Sequence, residues 1–194
     1  MSHEIEIEFK NMLTKEEFNR LKKGLALKET DFVTQHNDYF DTTEASLKER
    51  QSALRIREKA GRFVLTLKQP HDTGLLETHQ PLSIDQVNAF FSTNTLPVGD
   101  VVAQLLKMSI PVNSLIHLGR LTTSRAEWQQ SGGLVVLDHS FYFDQEDYEL
   151  EFEASDYESG KTAFARFLSD WKLPVRQTQN KLYRFYTYKT SNHL

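Results

Sequence analysis

Residues 3–10 read HEIEIEFK, in which Glu4, Glu6, Glu8 and Lys10 alternate with Ile5, Ile7 and Phe9. A two-residue period of this length specifies a β-strand with its charges on one face and its apolar residues on the other. The pattern recurs. In DYELEFE, Glu149, Glu151 and Glu153 share a face opposite Leu150 and Phe152. In ALRIREK, Arg55, Arg57 and Lys59 stand opposite Leu54 and Ile56, and in RFVLTLK, Arg62, Val64, Thr66 and Lys68 stand opposite Phe63, Leu65 and Leu67. The chain therefore carries two acidic strands and two basic ones, each with an apolar side to bury.

For any one strand, the simplest reading of the charged face is the solvated side of an antiparallel sheet. The sorting by sign speaks against that reading for the set. Same-face neighbours lie about 7 Å apart, where a like-charge pair costs about 0.6 kcal/mol in water and about 2.4 kcal/mol at an effective dielectric near 20. Salt makes this tolerable in water, whereas a concave site full of carboxylates requires divalent cations. Hard ions such as Mg2+ or Mn2+ match carboxylate oxygen. His3, His36, His71, His79, His117, His139 and His193 are scattered without metal-ligand spacing and read as surface or hydrogen-bonded residues. The basic strands call for an anion, since Arg forks fit phosphate oxygens and Lys adds point charge. Carboxylate-held metal beside dense Arg and Lys suits a polyphosphate. Neither a G-x-x-x-x-G-K-[ST] nor a G-x-G-x-x-G stretch occurs, so strand side chains would have to bind the phosphates. A closed or nearly closed barrel is the geometry that turns such faces inward together.

The rest of the chain fits a single α+β domain over residues 1–194, mainly antiparallel, because strands come as hairpin-sized neighbours without regular strand–helix alternation. Thr14 and Glu17 form a capping box ahead of Phe18, Leu21 and Leu25, and Ser83 with Gln86 opens a second helix. A third helix is expected in GDVVAQLLKM. A short strand is expected at 37–43, and a hairpin turning at Ala60-Gly61 with Pro70 ending its second strand. GLLETHQPLS reads as a further short strand. Arg125 and Asp138 lie in the strands flanking Ser131-Gly132-Gly133. A helix in GKTAFARFLSDWK is expected to stop at Pro174, and a last one in TQNKLYRFYTYK sets Lys181 and Arg184 one turn apart. Trp128, Trp171, Phe185, Tyr186 and Tyr188 read as core or barrel-mouth packing, and Tyr39 and Asp41 as packing and turn residues. The net charge of −4 argues against nucleic acid as a partner. The absence of cysteine excludes disulfides and thiolate metal sites and points to a reducing compartment. With no signal-peptide pattern and no membrane-spanning run, a soluble cytoplasmic protein is expected.

The charged residues, taken in order, resemble the CYTH superfamily of triphosphate tunnel metalloenzymes along nearly the whole chain. EIEFK resembles its E-x-E-x-K signature (Glu6, Glu8, Lys10), and LRIRE its R-x-R pair (Arg55, Arg57). LTLKQP, LLETH, TTSRAE and VVLDHS supply Lys68, Glu77, Arg125 and Asp138. YELEFE resembles the late E-x-E pair, and NKLYRF the late lysine with a following arginine, Lys181 and Arg184. The resemblance implies an eight-stranded antiparallel barrel forming a tunnel with flanking helices, and Mg2+- or Mn2+-dependent action on a small-molecule triphosphate. It implies catalytic roles for Glu6, Glu8 and Lys10. Substrate contacts would come from Lys10, Arg55, Arg57, Lys68, Glu77, Arg125, Lys181 and Arg184, and metal ligands from Glu6, Glu8, Asp138, Glu149, Glu151 and Glu153. Asp138 reads either as a ligand or as a satisfied strand residue. Glu149 and Glu151 are the favoured match to the family pair. Two positions depart from the pattern: Leu75 and His79 flank Glu77 where many members carry charged residues. Arg120 has the opposite strand parity to Arg125 and is expected outside the tunnel. The leading activity is hydrolysis of inorganic or a related organic triphosphate. A class IV adenylyl cyclase and a non-catalytic triphosphate- or polyphosphate-binding module are the alternatives.

Overall fold

A computed structural model of the chain describes residues 2–72 and 74–192, with Ser2 and His3 described by their backbone alone and His193 outside the described residues. The alternating segments form strands β1 (Ser2–Leu13), β2 (Phe32–Thr42), β3 (Ala53–Lys59), β4 (Arg62–His71), β5 (Gly74–Leu82), β6 (Leu115–Gln130), β7 (Gly133–Tyr142) and β8 (Gln145–Ala154). Their hydrogen-bonded order, β1-β5-β4-β3-β2-β6-β7-β8, closes on itself as a barrel. The register of its hairpins is antiparallel throughout β3 to β5 and β6 to β8. Six helices accompany the strands among the described residues: α1 (Lys15–Gly24), α2 (Ser46–Glu49), α3 (Ile84–Thr93), α4 (Asp100–Lys107), α5 (Tyr157–Asp170) and α6 (Lys181–Ser191). This is the expected α+β barrel. No helix among the described residues is long and apolar enough to cross a membrane.

The chain divides into two compact units, Met1–Ile5 with Gln35–Arg120, and Glu6–Thr34 with Leu121–Leu194. In the first, Leu54 and Ile56 of β3 and Leu65 and Leu67 of β4 are buried against Val87 and Phe90 of α3 and Val101 and Leu105 of α4. The period of two then leaves Arg55, Arg57, Thr66 and Lys68 on the face away from the helices. In the second unit, Val135 and Leu137 of β7 and Leu150 and Phe152 of β8 pack under Phe18 and Leu21 of α1 and Phe164 and Phe167 of α5. Asp138, Glu149 and Glu151 are thereby turned to the opposite face. In a closed barrel, the face away from a covering helix is the inner one.

Local signals act as their chemistry dictates. Thr14 Oγ1 accepts from the Glu17 amide at 3.2 Å while Glu17 Oε2 accepts from the Thr14 amide at 2.8 Å, and Ser83 and Gln86 repeat the arrangement. Ala60 and Gly61 both take positive φ, 51° and 74°, as a two-residue hairpin turn requires. Three boundaries differ from the sequence reading. β2 begins at Phe32 rather than at residue 37, because the Phe32 ring packs 6.0 Å from that of Phe18. Pro70 does not end β4, which pairs it with Leu75 and continues to His71. α5 starts at Tyr157 because Asp156 accepts from the Ser159 amide at 2.9 Å. It stops before Pro174, where Lys172 turns left-handed (φ 50°) and the Leu173 amide reaches back to the Leu168 carbonyl at 2.8 Å.

Asp41 is a turn residue, as its segment suggested. Its buried carboxylate accepts from the backbone amides of Thr42 (2.7 Å), Leu47 (2.8 Å) and Lys48 (3.1 Å), which ties the end of β2 to α2. Asp41→Ala leaves these donors without that acceptor and is expected to lower the unfolding free energy by about 3 kcal/mol in a urea titration. An unchanged midpoint would show that the turn stands without the carboxylate.

Candidate active site

Strand register assembles the acidic face of the second unit. Glu8 stands opposite Glu153, Lys10 opposite Glu151 and Met12 opposite Glu149. Asp138 on β7 stands between Glu149 and Arg125 of its neighbours. α6 adds two cations: Asn180 caps it by accepting from the Tyr183 amide at 2.7 Å, and Lys181 and Arg184, one turn apart, both reach the carboxylates. Phe185, fully buried and stacked 4.8 Å from Phe143, anchors the helix.

The charges form one network. Arg125 donates to both oxygens of Asp138, at 2.7 and 2.6 Å, and to Glu151 at 2.6 Å. Lys181 meets Glu151, Asp138 at 2.7 Å and Glu149 at 3.3 Å. Arg184 meets Asp147 at 2.9 Å and also Glu149. Lys10 lies 3.0 Å from Glu8 and 3.7 Å from Glu149. Burial by itself would push the Glu151 carboxyl up, but the charges of Lys181, Arg125 and Lys10 outweigh it and hold the group well below the usual carboxylate range. Burial also opposes the charge on Lys181. Asp138, Glu149 and Glu151 overcome it and raise the ammonium well above the ordinary lysine range, as Asp138 and Glu151 do for Arg125.

Two layers of carboxylate result. Asp138 and Glu151 are buried and held by Arg125 and Lys181. Glu6, Glu8 and Glu153 are half-buried on the same face, with Glu8 and Glu153 directly across the ladder from each other. Glu149 joins the layers, since its Oε1 is buried without a hydrogen bond and has Lys10 at 3.7 Å. The donors are all oxygen, and the carboxylates of this face outnumber Lys10, Arg125, Lys181 and Arg184. That is the donor set of a hard divalent ion, and the residues fit one.

In the first unit, register aligns Tyr39, Arg55, Thr66 and His79 in one row, and Asn37, Arg57, Val64 and Pro81 in the next. Arg57 Nε donates to Asn37 Oδ1 at 2.9 Å, which fixes the plane of the guanidinium. Lys68 pairs with Glu77 across the β4–β5 ladder. His79 contacts Thr66 Oγ1 through Nδ1 at 3.0 Å, and through Nε2 lies 3.1 Å from Glu4 and 3.3 Å from Glu77. Arg120 is elsewhere, as its parity required: it grips Asp38, with Nη2 at 2.7 Å, on the face shared by Ile56. The sequence reading had not placed Glu4, Asn37, Thr66, Asp147 or His79 among the site residues. Parity marks Glu4 and Thr66, whereas nothing local marks Asn37.

The chain is a closed antiparallel barrel whose strand faces away from the helices are sorted into carboxylates and into guanidinium and ammonium groups. The sequence matches the CYTH domain family over residues 4–186, and the chain belongs to that family. It is 52% identical over 189 residues to the Bacillus subtilis protein named "Putative triphosphatase YjbK", covering 97% of this chain and 98% of that protein. A crystal structure from Bacillus halodurans, called a "putative adenylate cyclase", superposes with a TM-score of 0.92 at 45% identity, covering 95% of this chain and 99% of that one. A Hippeastrum protein, described as a "putative adenylyl cyclase" with a dominant triphosphatase activity, shares the fold at a TM-score of 0.76 and 22% identity, over 94% of this chain and 96% of that one.

Lys181→Met removes one partner from Asp138, Glu149 and Glu151 and is expected to cost about 3–5 kcal/mol of stability at neutral pH, read by urea unfolding. Added Mg2+ should restore part of the loss, and a midpoint equal to wild type would mean that the lysine is dispensable to the network. The depressed Glu151 carboxyl contributes stability that is fully present above its unfolded value, about 4.3, and is lost as pH falls from there toward the folded value. Glu151→Gln should therefore flatten the acid limb of the stability–pH curve below about pH 4.3, and a curve parallel to wild type would contradict the assignment.

Proposed function

We propose that the chain is a divalent-metal-dependent hydrolase of small triphosphates, inorganic triphosphate or a related organic triphosphate. The observation that carries this reading is the sorting of charge: carboxylates of β1, β7 and β8 on one set of inward faces, Arg55, Arg57 and Lys68 on another. The 52% identical relative, named "Putative triphosphatase YjbK", supports it.

Glu6, Glu8 and Glu153, with Glu149 behind them, would hold Mg2+ or Mn2+, which supplies Lewis acidity to the phosphoryl oxygens and to an attacking water. Lys10, held by Glu8 and Glu149, sits where the metal ligands end and takes the adjacent phosphate oxygens. Arg57, with its plane set by Asn37, presents its fork to phosphate, and Arg55 and Lys68 extend the cationic row. Glu77 orients Lys68. Arg125, Lys181 and Arg184 pair with Asp138, Glu149 and Glu151 and supply the positive field in which charge on the transferring phosphoryl is stabilised. Asp138 and Glu151, the remaining carboxylates expected as metal ligands, would complete the donor set from within this network.

Phosphate release from inorganic triphosphate should require Mg2+ or Mn2+ and cease with chelator. Glu6→Gln and Glu8→Gln should each lower kcat about 100-fold, and Arg57→Ala should raise KM about 10-fold or more. No release above background, or a Glu6→Gln protein equal to wild type, overturns the reading. The 45% identical relative called a "putative adenylate cyclase" favours a second reading, in which the ribose 3′-hydroxyl of ATP attacks and pyrophosphate leaves. Chromatography of the products from ATP separates the two, because only the cyclase yields a cyclic nucleotide.

A further inference from the structure

We propose that Asn11 is a positioning residue for the reaction: by holding the irregular segment 173–180 against β1, it sets where Lys181 and Arg184 meet the carboxylates. Asn11 breaks the pattern of its own strand. It stands between Phe9 and Leu13 on the face of β1 that packs into the second unit's core, and it is only 1% exposed. A carboxamide buried among apolar side chains is costly unless its polar atoms are bonded. Here they are, and to main chain far along the sequence. Nδ2 donates to the Pro174 carbonyl at 3.1 Å and to the neighbouring Met12 carbonyl at 3.0 Å, while Oδ1 accepts from the Arg176 amide at 2.6 Å. One side chain thus takes the part of a peptide unit in a strand ladder, answering a carbonyl and an amide on alternate residues.

The segment needs such partners, because no residue between Asp170 and Lys181 belongs to a helix or strand. Met12, the next residue of β1, supplies two more: its amide donates to Thr178 Oγ1 at 2.9 Å, and its carbonyl accepts from Arg176 Nη1 at 2.9 Å. Arg176 also forks onto Glu17 of α1, at 2.7 and 3.0 Å. The chain is therefore pinned at Pro174, Arg176 and Thr178, just before Lys181 enters α6. Lys10, the residue preceding Asn11, stands opposite Glu151, the carboxylate that Lys181 engages. Asn11 in this way registers the cations of α6 against the β1–β8 ladder. A leucine at this position would satisfy the apolar face; the carboxamide answers the segment. Misplacing a reacting or stabilising group by about 1 Å costs on the order of 100-fold in rate, and this kinetic consequence rests on the hydrolase reading above. The structural consequence, a docked α6, does not.

The test compares the full-length wild type with Asn11→Leu, Thr178→Val and Asp41→Ala, the last a destabilised control whose side chain lies in the first unit. Amide hydrogen exchange is followed under native conditions, and kcat and KM are measured for phosphate release from inorganic triphosphate with Mg2+. Asn11→Leu should speed exchange of the α6 amides about 10-fold or more relative to those of β7 and β8. It should also lower kcat about 10- to 100-fold while KM stays within about twofold of wild type. Thr178→Val should act in the same direction, by about 3-fold in each readout. Asp41→Ala should keep the wild-type exchange ratio and kcat. Exchange of α6 that tracks β7 and β8 in Asn11→Leu overturns the proposal, as does an unchanged kcat in that variant or an equal loss of kcat in Asp41→Ala. If the wild type releases no phosphate, the hydrolase reading fails, and the exchange ratio alone decides whether Asn11 places α6. Should Asn11→Leu fail to fold, Thr178→Val decides by the same ratio.

Discussion

The structure depends on how one constraint, the two-residue period of an extended chain, is satisfied on both sides of the same strands. Leu54, Ile56, Leu65, Leu67, Leu150 and Phe152 are each almost completely buried, and helices cover them. Burying such a side chain contributes about 1.5–3 kcal/mol, several times the cost of a screened like-charge contact. The apolar faces therefore dictate orientation, and the charged residues between them have no choice of side. A register slip of one residue on β8 would put Glu149 and Glu151 under α5 and expose Leu150 and Phe152. Hydrophobic burial is the force that concentrates the charge.

Concentrated charge has to be neutralised, and the second unit does so with Arg125, Lys181 and Arg184. Each buried carboxylate carries a desolvation penalty that only close, multiply bonded cations offset. Asp138 receives both arms of Arg125 as well as Lys181, and Glu151 is bridged by the same two residues. Lys181 and Arg184 come from α6, a helix held by Phe185 against Phe143, so the chain's last helix is part of the electrostatics of strands formed much earlier.

The first unit handles charge differently. Asn37 orients Arg57, and Glu77 pairs with Lys68. Where Arg120 does meet a buried carboxylate, Asp38, it does so on the opposite face, beside His117. Burial would raise the Asp38 carboxyl, and His117 and Arg120 together hold it below its ordinary value.

Much of this was legible in the residues. Alternation identified the charged strands, capping boxes located α1 and α3, and parity separated Arg125 from Arg120, because each of these depends on neighbours within a few positions. The boundaries that escaped were set by distant contacts: β2 extends to Phe32 because Phe18 is there to pack on it, and α5 ends at a left-handed Lys172 before Pro174 can act. His79 shows the same limit at a site. Spacing along the chain made it one scattered histidine, yet β5 carries it to Glu4, 75 residues away, and to Thr66 on the neighbouring strand. The order of the amino acids settled which side chains share a face, since a strand's period is local. Which faces meet, and which carboxylates are tied to Arg125 and Lys181 and which stand nearer the solvent, followed from strand register and helix docking, which no short stretch of sequence contains.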